Sequence, residues 1–184
     1  MGRLNTRAAV EFGASALSHA MPGTVVRIYT APAAGAPVVR VALAEAVAGR
    51  GIAGDRYAAG VGSFSRWPGR GRAVTFIDAH ALAEAEAAFG VYLSDGEHRR
   101  NVVVVGVDLR SLLGGEFRIG GALFRGARVC APCKYLVRVT GQARAFDALV
   151  GRGGIRAEVV ESGRFAENDA LVPLGEPRPR VLPG

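Results

Sequence analysis

Apolar and β-branched positions in this chain come in short runs broken by glycine, and few stretches are long enough for a helix. Residues 24–30 (TVVRIYT) alternate weakly and are rich in β-branched side chains, the mark of a half-buried strand. The turn APAAGAP leads into residues 38–44 (VVRVALA), read as a second strand. Residues 73–77 (AVTFI) form a third short run. Residues 101–105 (NVVVV) are continuously apolar after the asparagine, which predicts a strand buried on both faces. EFRIGGALFRGARV reads as two strands broken at Gly120 and Gly121, and IRAEVVESG and ALVPL close the chain as strands.

Helical signals are sparse. Asp78 can cap a helix over AHALAEAEAAFG, with Leu82, Ala85 and Phe89 on one face and Gly90 ending it. VDLRSLLGG predicts a single turn and QARAFDALVGRGG a short helix. Residues 48–72, with glycines throughout, read as a loop that bears function. Many short strands with two or three helices give a mainly β, α+β chain, predicted to close as a β-barrel. Regular βαβ alternation is missing, which argues against a Rossmann sheet. The domain is expected over residues 21–175, with residues 1–20 as a tail or short helix and 176–184 as an irregular proline-rich tail.

Composition narrows the function classes. The chain has 184 residues, 49% hydrophobic and 21% charged, enough for one domain with a real core. Two cysteines cannot make a secreted disulfide framework, so a cytoplasmic location is expected. No apolar run approaches the roughly 20 residues of a membrane span, so no membrane partner is expected. In the first twenty residues, Arg3 and Arg7 imitate a signal peptide, but Glu11 and Gly13 interrupt its apolar segment. Gly2 and Thr6 fit a myristoylation pattern that short sequences meet easily by chance. The net charge is +7, and Lys134 is the sole lysine among 23 basic residues. An arginine excess of this kind follows from a GC-rich genome, yet its distribution is uneven. From His98 to Arg138 eight arginines and lysines face two acids, Asp108 and Glu116. That stretch predicts an anionic partner. Aromatic content of 7% and the absence of any finger spacing or RRM-like run argue against nucleic acid.

Both cysteines lie in that basic stretch, in GARVCAPCKYLVRVTG. A thioredoxin-type exchange site needs a long helix after the first cysteine, and β-branched KYLVRVTG ends in glycine too soon. A structural zinc site needs four ligands, and His19, His80 and His98 are not spaced as a pair. Cys130 reads as a small buried hydrophobe. Cys133 reads as an exposed thiol at a strand end, directed by Pro132, with Arg128, Lys134 and Arg138 nearby to favour the thiolate. The thiolate is the form that attacks sulfur donors, carries a persulfide or ligates a soft metal. Two further clusters could join it. GIAGDRY offers Gly54 for close approach and Asp55 beside Arg56; EHRRN offers Arg99 and Arg100, expected to point to opposite sides, before Asn101.

In order along residues 21–174, these segments resemble the MOSC family, named for the C-terminal domain of molybdenum-cofactor sulfurase. The resemblance is carried by GIAGDRYAAGVGSFS, GRAVTFIDAHALAEA, RRNVVVVGVDLRSLLGGEFRIGGALFRGARVCAPC and GRGGIRAEVVESG. It implies a MOSC-like β-barrel with one functional cysteine, here Cys133, either catalytic as a sulfur acceptor or a ligand to molybdenum. The implied cofactor is the anionic pterin molybdenum cofactor. The implied partners are a pyridoxal-phosphate cysteine desulfurase that supplies sulfur, or a redox protein that supplies electrons. Pyridoxal phosphate would come with that partner, since Lys134 has no motif for a Schiff base. Gly54, Asp55, Arg56, Arg99, Arg100, Asn101 and Lys134 are the expected cofactor-binding residues. The alternatives are a molybdenum-dependent reductase component acting on N-hydroxylated compounds, and a non-catalytic anion-binding barrel. The cysteine is expected at the barrel mouth. Asn168 stands where relatives tend to have glycine.

Overall fold

The computed structural model describes residues 21–63, 65 and 71–175. The expected tails, 1–20 and 176–184, lie outside the described residues. The first half of the chain supplies β1 (Gly23–Thr30), β2 (Val39–Arg40), β3 (Leu43–Val47), β4 (Gly51–Ile52), β5 (Val74–Asp78), α1 (Ala79–Phe89) and β6 (Val102–Val105). After a 3-10 turn at Leu109–Leu112 come β7 (Glu116–Ile119), β8 (Ala122–Val129), α2 (Lys134–Thr140) and α3 (Ala145–Ala148). The chain then forms β9 (Ile155–Glu161), β10 (Gly163–Ala166) and β11 (Ala170–Leu174).

Seven strands close a barrel in the order β1, β6, β5, β9, β8, β7, β11, with β11 pairing back to β1. Closure removes the exposed edges that an open sheet of this size would carry. Every pairing is antiparallel except β5 with β6. That parallel pair needs a crossover, and α1 supplies it, so the chain holds one βαβ unit within an otherwise antiparallel barrel. Asp78 caps α1 by accepting from the His80 amide at 2.8 Å, and Gly90 ends it in the left-handed region. A smaller sheet, in the order β10, β3, β4, lies alongside.

Strand alternation sorts the side chains into two cores. Val25, Phe76, Val102, Val104, Phe117, Phe124, Ile155 and Leu171 fill the barrel interior. Edge-to-face contacts at 5.2–5.6 Å link Phe76, Phe117, Phe124 and Phe165 there. Outside the wall, Ile77 and Val103 pack with Leu82, Leu136, Ala145 and Leu149 of the three helices. The apolar run 101–105 is therefore buried on both faces, because its odd and even residues feed different cores.

Three readings need correction. Residues 38–44 are not one strand: β2 pairs with the end of β1, and the chain then turns away so that β3 can pair with β10 and β4. β10 was not anticipated, since GRFA is too short to alternate; the buried Phe165 anchors it. The segment after Cys133 is helical despite its β-branched residues. Burial of Leu136 in the outer core outweighs that propensity, and Gly141 stops the helix after seven residues. Asn168 has φ +72°, a conformation glycine adopts freely and asparagine tolerates.

Gly154 sits where the barrel wall meets the cysteine segment. Its φ is +79°, its carbonyl accepts from the Cys130 amide at 2.8 Å, and a Cβ there would overlap the Phe76 carbonyl. Gly154→Ala is expected to cost more than about 2 kcal/mol in a denaturant titration, because backbone strain and backbone overlap act together.

Candidate functional site

The cleft that contains both cysteines lies on the outer face of the barrel. Its floor includes Thr75 of β5 and Arg156 of β9, whose strand neighbours Val74, Phe76, Ile155 and Ala157 all point inward. The site is thus on the side wall rather than at the barrel mouth, where the helical layer stops. The cleft encloses about 580 Å³ out to its open side. Arg56, Arg99 and Arg100 line it together with Cys130, Cys133 and Tyr135.

Asp55 organises one side. It is fully buried, and its carboxylate accepts from the Ala31 amide at 3.1 Å, the Tyr57 amide at 3.0 Å, Asn101 Nδ2 at 3.2 Å and Arg56 Nη1 at 3.0 Å. Buried charge of this kind persists only when paired and hydrogen-bonded. Arg56 is then fixed, with Nη2 donating to the Arg99 carbonyl and its guanidinium 5.0 Å over the Tyr57 ring. Asn101 joins the same node. Its Oδ1 accepts from the Thr75 amide and hydroxyl, and its Nδ2 also donates to the Tyr29 carbonyl.

The two adjacent arginines do not diverge as expected. Arg99 has φ +58°, an unusual value for a side chain of this size, and this turn brings both guanidinium groups to the cleft. Arg100 staples the cysteine segment: Nε donates to the Gly153 carbonyl at 3.0 Å and Nη2 to the Cys130 carbonyl at 3.4 Å. Arg99 Nη1 donates to the Ala36 carbonyl at 2.9 Å, whereas its Nη2 is buried with no partner among the described residues. Burial, then the Arg56 guanidinium, push Arg99 below the usual arginine range. Arginine keeps its charge in proteins, so this group is a cation short of an anion.

Cys133 is half-buried at the start of α2, not exposed at a strand end. Cys130 is fully buried, as a small hydrophobe would be. Of the expected binding residues, Arg56, Arg99 and Arg100 line the cleft with Cys133. Asp55 and Asn101 stand behind it as supports. Gly54, with φ +78°, has open space around it and lies outside the lining; Lys134 is exposed and also outside it. Arg128 and Arg138 are exposed too. Tyr57, Ser63, Thr75, Tyr135 and Arg156 also line it and were missed. Tyr57 adjoined a motif that drew attention only to its charges. Arg156 looked like any outward position of an alternating strand. Among the described residues no Asp or Glu lines the cleft.

His98 supports the arginine turn from beneath. It is fully buried, its Nδ1 accepts from the Arg100 amide at 2.9 Å, and its ring meets Tyr29 edge-on at 5.3 Å. Burial above all, with help from Arg100 and Arg27, holds its pKa down to about 3. The unfolded chain therefore binds a proton that the folded chain refuses between about pH 6.5 and 3. Stability from this residue is complete above pH 6.5 and is lost as the pH falls through that window. His98→Asn is expected to flatten the acid limb of stability against pH, removing a slope of up to about 1.4 kcal/mol per pH unit. Urea titrations at several pH values check it.

Comparison with known proteins agrees with this architecture. The YuaD protein from Bacillus subtilis superposes with a TM-score of 0.68 at 18% identity, covering 82% of this chain and 94% of that one. YiiM from Geobacillus stearothermophilus gives 0.63 at 16% identity, covering 83% and 75%. YiiM from Escherichia coli gives 0.60 at 18%, covering 85% and 70%. At such identities the likeness concerns the fold. No curated protein matches the chain. The sequence model of the MOSC domain matches residues 59–172, a span that takes in Cys133, both arginines of the turn and most of the barrel, and the chain belongs to the MOSC domain family.

Proposed function

We propose that this protein binds the molybdenum cofactor in the arginine-lined cleft, with the Cys133 thiolate as the protein's ligand to the metal. The observation that carries the reading is the buried Nη2 of Arg99, unpartnered among the described residues, in a cleft that also holds a thiol and no described carboxylate. An anion with several acceptor oxygens satisfies that donor and offsets the burial cost of the guanidinium.

The donor set fits such a group. Among the described residues no cluster of three or more His, Cys, Asp or Glu side chains could hold a metal ion. With Cys130 sealed, the cleft offers the reachable Cys133 sulfur and a cationic cradle, which suits a metal whose remaining ligands come with an anionic organic group. When bound, that group supplies two-electron redox chemistry at the metal. Arg99, Arg100 and Arg156 would hold its anionic end. Arg56 spends its charge on Asp55 and acts chiefly by orienting Arg99 through the backbone carbonyl. Tyr57 and Tyr135 would flank the ligand and limit water. Acting on N-hydroxylated compounds with electrons from a redox partner is the catalytic form of this reading.

A second form, sulfur carriage, is favoured by the partial exposure of Cys133. A thiol reachable from solvent can take sulfur from a pyridoxal-phosphate cysteine desulfurase and hold it as a persulfide. Both forms use the same thiolate and the same cradle.

Protein purified from cells supplied with molybdate is expected to contain molybdenum by elemental analysis. Cys133→Ser should lower the retained metal by at least about tenfold, and Arg99→Gln should lower it with the fold intact by circular dichroism. Metal content equal in wild type and Cys133→Ser would sink the ligand assignment. Intact-mass analysis after incubation with a desulfurase and cysteine reports the carrier form as one added sulfur atom.

A further inference from the structure

We propose that Arg128, Lys134 and Arg138 form a docking face for an acidic protein, the partner that brings sulfur to Cys133; this rests on the sulfur-carrier form of the reading above.

All three side chains are exposed, and none makes an ion pair with a described residue. Each is placed at the rim of the cleft by a separate feature. Arg128 on β8 is paired across the sheet with Arg156 on β9, whose side chain lines the cleft. Lys134 stands between Cys133 and Tyr135 in sequence, and both of these line it. Arg138, one helical turn beyond Lys134 and on the same face of α2, lies 4.9 Å over the Tyr135 ring.

The surrounding sequence supplies no compensation. Residues 117–146 hold six basic side chains and no acidic one. Three of the six are engaged elsewhere, Arg118 on Glu161, Arg125 on Glu116 and Arg144 over the Phe89 ring. What remains is concentrated at the thiol. The Arg128–Arg156 pair sets like charges directly opposite each other, an arrangement that costs stability until an anion covers it. Inside the cleft, Arg99 and Arg100 meet a small ligand. The three rim cations are too exposed to serve that ligand and face outward, where a second macromolecule would meet them.

The character of the face favours protein over nucleic acid. Exposed Ala131 and half-buried Pro132, between Arg128 and Lys134 in the chain, line the cleft beside Cys133. Tyr135 is covered by Arg138, so its ring is not presented as a platform for a base. Cations bordering this short apolar segment and the thiol match carboxylates around a donor's own reactive cysteine. In the docked pair the Cys133 thiolate attacks the outer sulfur of the donor's cysteine persulfide. A sulfur–sulfur bond forms on Cys133 as the donor's breaks, and the donor cysteine leaves as a thiolate, with no net oxidation.

The test uses the full chain, a cysteine desulfurase whose surface around its active cysteine is acidic, and two charge-reversed double variants. One is Arg128→Glu with Arg138→Glu; the other, matched in charge, is Arg50→Glu with Arg164→Glu, neither of which lines the cleft. Association is measured by sedimentation at about 50 mM and about 500 mM salt, bracketing weak and strong screening. Wild type and the matched control are expected to associate at low salt, and the rim variant about tenfold more weakly. High salt should bring all three together. Alkylation of Cys133 by neutral iodoacetamide reports whether each variant keeps its fold and an accessible thiol.

Equal association of the rim variant and wild type overturns the proposal, as does an equal loss in the matched control. It is also overturned if wild type does not associate, or if a single-stranded oligonucleotide binds more tightly than the desulfurase through the same two arginines. Sulfur uptake by Cys133 is read separately by mass. Charge-dependent association without uptake would leave the face standing and remove the carrier form of the function. Uptake without such association would do the reverse.

Discussion

The cleft hangs on one buried carboxylate. Asp55 is sealed from water, and its hydrogen-bond donors come from three distant parts of the chain: the end of β1 at Ala31, the loop after β4 at Arg56 and Tyr57, and the start of β6 at Asn101. None of these contacts is strong alone. Together they make a large penalty for any arrangement that leaves the carboxylate short of donors. The Ala31 carbonyl also accepts from the Arg56 amide at 2.7 Å, so the loop is locked from both directions. The position of Arg56, and through it the carbonyl of Arg99, follows from where that negative charge had to be satisfied.

Barrel closure explains why the site is beside the core rather than in it. The interior is filled by aromatic and branched side chains of the described strands. Function is left to the outer wall. Helices cover the part around Ile77 and Val103, while Thr75 and Arg156 lie under loops and the first turn of α2. Arg100 then binds the loop that carries Cys130 to the turn at Gly153, holding the thiol segment against that patch. The wall gives rigidity, and the loops give chemistry.

The sequence made the strands legible because glycine turns and β-branched runs mark them directly, and α1 because Asp78 and Gly90 bracket it. Its cysteine segment was legible for a different reason: few residue types place a thiol among cations. What could not be read was direction. Alternation says that 155, 157 and 159 share a face, but not that Arg156 opposite them meets a cysteine. Adjacent arginines at 99 and 100 should diverge on an extended chain, and they converge because Arg99 takes a left-handed turn over buried His98. Propensity misjudged α2 because the term that decides it, burial of Leu136 against α3 and the wall, is tertiary.

The charges around Cys133 fall into two tiers that solvent treats differently. Arg56, Arg99 and Arg100 are buried or half-buried, held by carbonyls and a carboxylate, and mobile ions screen them weakly. Arg128, Lys134 and Arg138 stand in solvent, where screening at physiological ionic strength acts within roughly 8 Å. A small anion in the cleft therefore keeps most of its attraction at salt concentrations that weaken any contact made through the rim. Under the proposed function and docking, depth alone would separate retention of a ligand from encounter with a protein. Lysines in the inner tier would lack the planar fork that lets Arg100 reach the carbonyls of Cys130, Gly153 and His98 at once. That geometric demand gives the inner arginines a role that codon usage cannot account for.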